Sequence, residues 1–513
     1  MKYVIGIDLG SSAVKAILVD RGGIVHYSLS KDYPLINQKS GYSEQDVELW
    51  YSKTKEIIIE LLQNFNGRVE DIDGISFSGQ MHGLVLLDEE NQVLRNAILW
   101  NDTRTSHQCR EIEEVIGKER LLSITKNQAL EGFTLPKILW VKENEPELYE
   151  KSHRFLLPKD YLRYRLTGHI GMDYTDAAGT LLLDIEKKEW SHEMCDALNI
   201  NPALCPPLME SFDFAGQISE AFSMETGLSV STKVFAGGAD NACGAIGAGI
   251  LSEGKTLCSI GTSGVILTYE STGSHDYKGK VHYFNHGKKD AYYSMGVTLS
   301  AGYSLSWFRD VFAPNESFSS LLDGLDEISP GSNGLLFSPY LVGERTPHAD
   351  ASIRASFIGM DASHTRTHFV RAVLEGVTFS LKEALEILKQ NNDHIDTVIS
   401  IGGGAKNKEW LQMQADIFET KIITLSHEQG PALGAAILAA YGCGWYSSLE
   451  ECSRVFISYE ESYMPITQNV VMYRELYPLY QDVYEYTKGL SDGLERFRNH
   501  GNHGDGSRDS FIN

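Results

Sequence analysis

YVIGIDLGSSAVKAILVD, residues 3–20, is the stretch that decides the fold reading. Two β-rich apolar runs flank a break at Gly10-Ser11-Ser12, and strand, glycine turn, strand is the pattern of a hairpin. The layout returns at residues 256–269, TLCSIGTSGVILTY, with Gly261-Thr262-Ser263-Gly264 at the turn. A third strand-then-glycine unit, TVISIGGGAKN at 397–407, leads into the helix-like EWLQMQADIF. Between these runs lie helices with apolar residues every three or four positions. Val47, Trp50, Ile57, Ile58, Leu61, Leu62 and Phe65 mark one; Phe369, Val370, Val373, Leu374, Val377, Leu381, Leu385 and Leu388 mark another.

Strands alternating with such helices predict an α/β architecture. Two similar hairpin openings predict two related halves, residues 1–250 and 251–488, with the boundary around 246–254. Residues 489–513, ending NHGNHGDGSRDSFIN, hold few apolar side chains and are expected to be disordered.

Composition narrows the function classes. Of 513 residues, 69 are Asp or Glu and 45 are Lys or Arg, a net charge of −24. No local Lys/Arg cluster offsets this, which argues against a nucleic-acid partner. The hydrophobic share of 42% is that of a globular chain, not a disordered one. The cysteines at 109, 195, 205, 243, 258, 443 and 452 are odd in number and form no CxxC pair. They read as buried, reduced thiols of a cytoplasmic protein. MKYVIGIDLG reaches Asp8 too soon for the apolar region of a signal peptide. The longest uncharged stretch, 431–449, is rich in Ala and Gly and reads as a buried helix; no membrane span is expected.

Gly249-Ile-Leu-Ser-Glu-Gly254-Lys255-Thr256 fits the GxxxxGK[ST] pattern but not its context. A P-loop needs a strand before the first glycine and a helix after the Thr. Here a small-residue helix precedes and a strand follows, so the run reads as a plain helix-to-strand turn.

The remaining motifs carry chemistry. At Asp8-Leu9-Gly10-Ser11-Ser12 a tight turn gathers backbone N–H groups and two hydroxyls, with Lys15 nearby. Such nests bind phosphate, and a carboxylate beside them can hold a hydrated magnesium ion. Gly261-Thr262-Ser263-Gly264 has the same chemistry, and the pair could bracket a polyphosphate. Gly402-Gly403-Gly404 with Asn407 lets a ligand approach the backbone ahead of a helix. Gly237-Gly238-Ala239-Asp240-Asn241 ends a strand with an Asp–Asn pair; the Asp could take a proton from an alcohol, or cap a helix starting near Ala242. Gly79-Gln80-Met81-His82-Gly83 sits at a strand-to-strand corner, where a histidine alone reads as structural. Asn101, Asp102 and Arg104 form a polar cluster at another strand end.

Asp8-Leu-Gly-Ser-Ser with Lys15, GTSG at 261–264 and GGGAKN at 402–407 resemble the phosphate and adenosine segments of FGGY-type carbohydrate kinases. The resemblance runs from about residue 3 to about 485 and implies two actin-like, ribonuclease H-like domains with a ligand cleft between them. GQMHG (79–83), LWNDTR (99–104), LLPKDYLRYRLTG (156–168), GGADNA (237–242) and GERTPH (343–348) resemble the members that act on xylulose. That implies ATP- and magnesium-dependent phosphorylation of D-xylulose at its 5-hydroxyl. Carried over, Asp240 is the catalytic base, Asn241 a sugar contact, Met81 and His82 the sugar-binding pair, and Asp8 the carboxylate near metal and phosphates. Ser11, Ser12, Lys15, Gly261, Thr262, Gly302, Gly403 and Asn407 fall where the family contacts the nucleotide. Ser-Ser stands where Thr is common in the first loop, and Ser306 where glycerol kinases have Gln, which leaves that contact open. The family is compatible with a homodimer. Another sugar or polyol such as ribulose or gluconate, and an actin-like ATPase acting as a binding module, are the alternatives.

Overall fold

The computed structural model describes residues 1–392 and 394–501. The chain forms two compact units: one of residues 1–253, 269–294 and 426–458, the other of 254–268, 295–425 and 459–513. Both hold a mixed sheet with helices, the α/β class that the alternating pattern predicts.

In the first unit β1 (Tyr3–Leu9) and β2 (Ala13–Asp20) pair antiparallel in full register, from Tyr3 opposite Asp20 to Leu9 opposite Val14. β3 (Val25–Asp32) adds to β2, β4 (Ile72–Gly79) runs parallel to β1, and β5 (Lys233–Phe235) parallel to β4. Phe214–Gln217 closes the far edge. β1 and β2 are apolar almost throughout because both sheet faces are covered, whereas β3 alternates half-buried and exposed residues at the sheet edge. The helix Val47–Asn64 starts where the Asp46 side chain accepts from Glu48 N, and it buries Trp50, Ile57, Ile58 and Leu61 on the core.

The expected division at residue 250 differs from the packing. The helix Pro431–Gly442 belongs to the first unit, although it is far downstream. Small residues cause this. A Cβ at Gly6 of β1 would stand 2.1 Å from Ala432 O, and one at Gly434 only 1.9 Å from Cys243 O. Glycine lets the backbones meet, and Ala432, Ala435, Ala436 and Ala439 fill the remaining contact.

In the second unit β6 (Gly254–Ile260) and β7 (Gly264–Glu270) form the repeat hairpin, with Thr256 opposite Thr268 and Ile260 opposite Gly264. β8 (Tyr292–Thr298) adjoins β7, β9 (Ile395–Gly402) runs parallel to β6, β10 (Lys421–Leu425) parallel to β9, and β11 (Tyr459–Tyr463) antiparallel to β10. The hairpin, then a parallel strand beside its first member, is the order of the first sheet again. The Gly249–Thr256 run joins the end of the helix Asp240–Gly247 to β6, helix before strand, so the P-loop order is absent there.

The helix Thr467–Gly501 corrects the expected tail. Residues 489–501 are helical, and 502–513 lie outside the described residues. Tertiary contacts carry the helix past Gly489: Ser491 is buried, Ser352 Oγ donates to Asp492 Oδ1 at 2.7 Å, and Lys488 Nζ pairs with Asp350 Oδ2 at 2.6 Å. Further back, Tyr473 OH donates to Glu375 Oε1 at 2.7 Å. Composition alone could not register partners 98 to 140 residues upstream.

All seven cysteines are free, and Cys205 and Cys443 are half-buried where burial of all was expected. Among the described residues no helix is long and apolar enough to cross a membrane.

Candidate active site

In the first unit the site grows from the ends of β1 and β4. Asp240 opens the helix Asp240–Gly247 and does not cap it: Ala239 is the preceding residue, and Asp240 Oδ1 accepts instead from Asn241 N at 2.7 Å and Asn241 Nδ2 at 3.1 Å. Burial, and then the neighbouring charge of Asp8, push the Asp240 carboxyl up to about 7. The Asn241 N–H opposes that rise without cancelling it. A carboxylate so tuned can hold or release a proton at neutral pH, which a general base requires.

A buried polar network fixes the turn before Asp240. Ala239 N donates to Thr175 Oγ1 at 2.7 Å, which donates to Asp173 Oδ2 at 2.6 Å; Ser211 Oγ reaches the same oxygen at 2.9 Å. Lys159 Nζ contacts Asp160, Asp173 and Asp176 at 2.7, 2.7 and 2.9 Å. Arg163 adds Asp160 and Ala236 O, each at 2.9 Å. These charged side chains are fully buried. Burial drives the Asp160 and Asp176 carboxyls up, against the pull of Lys159. The three carboxylates are close enough together to hold a metal ion, but the Lys159 ammonium touches all three and supplies the positive charge. Gly237 sits at φ 81 with its Cβ position 2.3 Å from Phe77 O, so the turn lies flat against β4.

Asp8 is half-buried on β1, opposite Lys15 of β2. Burial raises its carboxyl, while Ser78 and the Lys15 charge pull the other way. Lys15 lies two residues inside its strand, not in the turn, and Lys15 Nζ donates to the carbonyl and the side chain of Gln429, each at 3.0 Å. The turn itself is committed. Ser11 Oγ donates to Gln80 Oε1 at 3.0 Å and accepts from Trp100 Nε1 at 2.7 Å, while Gln45 Nε2 donates to Ser11 O at 2.6 Å. Ser12 is exposed and its carbonyl accepts from Tyr33 N. Ser12 is therefore the available hydroxyl of this loop, and Ser11 is tied into its support.

The Met81-His82 corner is built from the same sheet. His82 holds φ 67, an uncommon conformation for a non-glycine residue that marks a constrained turn. His82 Nδ1 lies 2.6 Å from Gly179 O, and its ring packs on Phe133 at 4.6 Å. The buried Lys137 donates to His82 O at 3.2 Å and to Phe133 O at 3.1 Å, and burial draws its ammonium down to about 7. Met81 is buried, with its Sδ 3.7 Å from Asn241 Nδ2 and 3.9 Å from Tyr293 OH. Met81, Asn241 and Asp240 thus come together. The Asp102 carboxylate does not join them: it is buried, accepts from Ser43 N at 2.6 Å and pairs with Arg104 at 2.6 Å, which makes it structural.

The second unit holds a cavity of about 580 Å3. Gly261, Thr262, Gly302, Gly403 and Asn407 line it, as do Tyr303, Leu305, Phe318, Leu322 and Asp323. The glycines are required by close approach: a Cβ at Gly302 would lie 2.4 Å from Gly261 O, and one at Gly402, where φ is 80, 2.6 Å from Ile260 O. Asn407 Oδ1 caps the helix Lys408–Phe418 at Trp410 N, 2.9 Å away. Ser306 lines the cavity with its hydroxyl turned back to Gly302 O at 3.1 Å. Tyr303, Phe318 and Asp323 were not singled out in the sequence. Their neighbours bear no motif, and only the glycine that precedes Tyr303 gave a signal.

The FGGY family of carbohydrate kinases matches residues 3–247 with its N-terminal domain and 256–443 with its C-terminal domain. The chain belongs to the FGGY family of carbohydrate kinases. A xylulose kinase of Bacillus subtilis is 61% identical over 498 residues, 97% of this chain and the whole of that protein. The structure of a ligand-bound xylulose kinase from Lactobacillus acidophilus superposes with a TM-score of 0.92 at 29% identity, over 96% of this chain and 100% of that one. A gluconate kinase from the same species reaches 0.90 at 30% identity, covering 95% of this chain and 98% of that one. Backbone likeness therefore defines the family and leaves the sugar to side chains.

Proposed function

We propose that this chain is an ATP-dependent xylulose kinase that transfers a phosphoryl group to the 5-hydroxyl of D-xylulose, giving D-xylulose 5-phosphate. The observation that carries the reading is the 61% identity to a xylulose kinase over 97% of the chain. The carboxylate raised to about 7 at Asp240, beside Met81 and Asn241, supports it.

In this reading Asp240 accepts the proton of the attacking hydroxyl, and Asn241 orients both the carboxylate and the sugar. Met81 and His82 form the sugar-facing corner. A sugar pocket needs fixed donors and acceptors, because an unpaired partner penalises analogues that lack a hydroxyl. Thr262, Gly261, Gly302, Gly403 and Asn407 hold the nucleotide in the second unit's cavity, with Tyr303 and Phe318 offering faces for the base. Ser12 and Lys15 supply phosphate contacts.

The residues fit a divalent cation such as magnesium near Asp8. Asp8 is a half-buried carboxylate one residue from the end of β1, an oxygen donor of the kind such a cation takes. When bound, the ion supplies charge neutralisation of the phosphates. The partners are then a small sugar and ATP, with a second copy of the chain as a homodimer.

The test is ADP release with magnesium-ATP and D-xylulose, L-xylulose, D-ribulose, L-ribulose, gluconate and glycerol. A kcat/KM for D-xylulose well above the others is expected. A different winner would retain the kinase chemistry and overturn the sugar assignment to Met81-His82.

A further inference from the structure

The run GERTPH, residues 343–348, stands out by its likeness to the members that act on xylulose, yet it lies in the second unit, which holds the glycine-lined cavity. Glu344 is 2% exposed, and its carboxylate accepts from four donors. Oε1 takes Arg345 N at 2.7 Å and Leu299 N at 3.1 Å. Oε2 takes Thr298 Oγ1 at 2.6 Å and Ser380 Oγ, on the helix Arg366–Leu388, at 3.2 Å. All of these donors are neutral, and burial pushes the carboxyl up to about 7 against their pull. Thr346 grips β8 one residue further back: its N–H donates to Val297 O at 3.0 Å, and its Oγ1 accepts from Val297 N at 3.1 Å.

β8 ends at Thr298, and only Leu299, Ser300 and Ala301 separate it from the helix Gly302–Phe312. Across that turn Ala301 N and Tyr303 N donate to Thr262 O, and Gly302 N to Gly261 O. Gly261, Thr262, Gly302 and Tyr303 all line the cavity. Packing leaves the turn no slack: a Cβ at Gly264 would lie 2.8 Å from Thr298 Cγ2 and 3.0 Å from Ala301 Cβ.

We infer that Glu344 is a positioning residue of the nucleotide site, holding the turn at 299–301 so that Gly302 and Tyr303 meet the Gly261–Thr262 hairpin in the shape ATP needs. The inference rests on the reading of this cavity as the nucleotide site, and it assigns GERTPH to the nucleotide and not to the sugar. A carboxylate suits the task because it accepts in two directions at once. One side meets backbone N–H groups, which can only donate; the other meets hydroxyls, which can donate or accept. An amide in its place keeps the first side with its oxygen and turns its NH2 to the hydroxyls. Alanine leaves Leu299 N, Arg345 N and both hydroxyls without this acceptor.

Steady-state kinetics and calorimetric titration of the full chain with ADP and with D-xylulose test this. Glu344→Ala should raise KM for ATP and Kd for ADP about 10- to 100-fold and leave sugar KM within about twofold. Glu344→Gln should restore both nucleotide constants. Glu344→Asp, a methylene too short to serve both sides, covers the case in which Glu344→Ala does not fold, and should raise KM for ATP about fivefold. Glu375→Gln is the control for lost stability. Glu375 is as deeply buried in the same unit, but it accepts from Gly331 N and Ser332 Oγ, not from the turn at 299–301. It should lower Tm and leave KM for ATP unchanged. A rise in sugar KM alone gives GERTPH to the sugar and overturns the inference. Equal effects on Tm and on KM for ATP in the Glu344 and Glu375 variants reduce Glu344 to a structural role and overturn it too, as does an unchanged KM for ATP in Glu344→Asp. Gly302→Ala separates the inference from the reading beneath it. If Gly302→Ala leaves ADP binding unchanged, the cavity is not the nucleotide site and both fall. If it weakens ADP binding while neither Glu344→Ala nor Glu344→Asp does, only the inference falls.

Discussion

Gly10-Ser11-Ser12 in the first unit and Gly261-Thr262-Ser263 in the second close hairpins of the same kind, yet they spend their polar groups differently. Ser11 is gripped by Gln80 and Trp100, and its carbonyl by Gln45. Around the second turn backbone groups give support: Gly261 O accepts from Gly302 N at 2.8 Å, and Thr262 O from Ala301 N and Tyr303 N at 3.0 and 3.1 Å. The Thr262 side chain stays exposed beside the cavity. One unit fixes its loop with side chains and concentrates titratable groups nearby. The other builds a smooth, backbone-lined hollow that suits a ligand held by shape and by N–H groups. A repeated fold therefore does not imply a repeated use of equivalent residues.

The comparison can be broken most directly at Asp240. Asp240→Ala should lower kcat by about 10²–10⁴ with little change in KM for ATP, because it removes a proton acceptor and no nucleotide contact. In the wild type, kcat/KM for the sugar should fall as pH drops below about 7, where the carboxyl takes its proton. Stability moves oppositely. The folded-state pKa lies above that of the unfolded chain, so stability is fully present below the unfolded value and is lost as pH rises towards about 7. Asp240→Asn should therefore raise Tm at pH 8 while lowering kcat by a similar factor, about 10²–10⁴, and an unchanged Tm would show that the buried charge carries no strain.

The backbone-built side is probed by Gly302→Ala. Its Cβ would meet Gly261 O at 2.4 Å, so the turn must shift, and kcat/KM for ATP should fall about 10- to 100-fold while sugar KM holds. Thr175→Val strands the Ala239 N–H. Leaving such a group unpaired costs about 1–3 kcal/mol, and kcat should drop roughly tenfold in step with a lower Tm, with Thr175→Ser restoring both. The smallest effect separates the two turns. Ser11→Ala should change KM for ATP less than Thr262→Ala does, since Ser11 Oγ is already engaged by Gln80 and Trp100. The reverse order in nucleotide titrations would show that Ser11, not its support, meets the phosphates.

Much of this was legible in advance. The two hairpins, the glycine strand end at 402 and the helices after Val47 and before Leu388 announce themselves by local periodicity and turn chemistry, which depend on neighbours a few residues apart. Asp8, Asp240 and Asn241 stood out in short polar runs at strand ends, whereas Met81 and His82 were marked only by the resemblance to the family. Tertiary structure alone decided the rest. The helix Pro431–Gly442 joins the first unit because Gly6 and Gly434 admit its backbone, and nothing near residue 431 encodes Gly6. Lys159 falls in the run 156–168 that the sequence marked, but Asp173 and Thr175 fall in none, and only folding buries the three behind Ala239. Residues 489–501 look like a solvated tail until Ser352 and Asp350 hold the helix they continue. Local interactions specify which segments become strands, turns and helices. Which loop oxygen meets which distant N–H, and how far a carboxyl is pushed by its burial, follows only from groups that packing brings together.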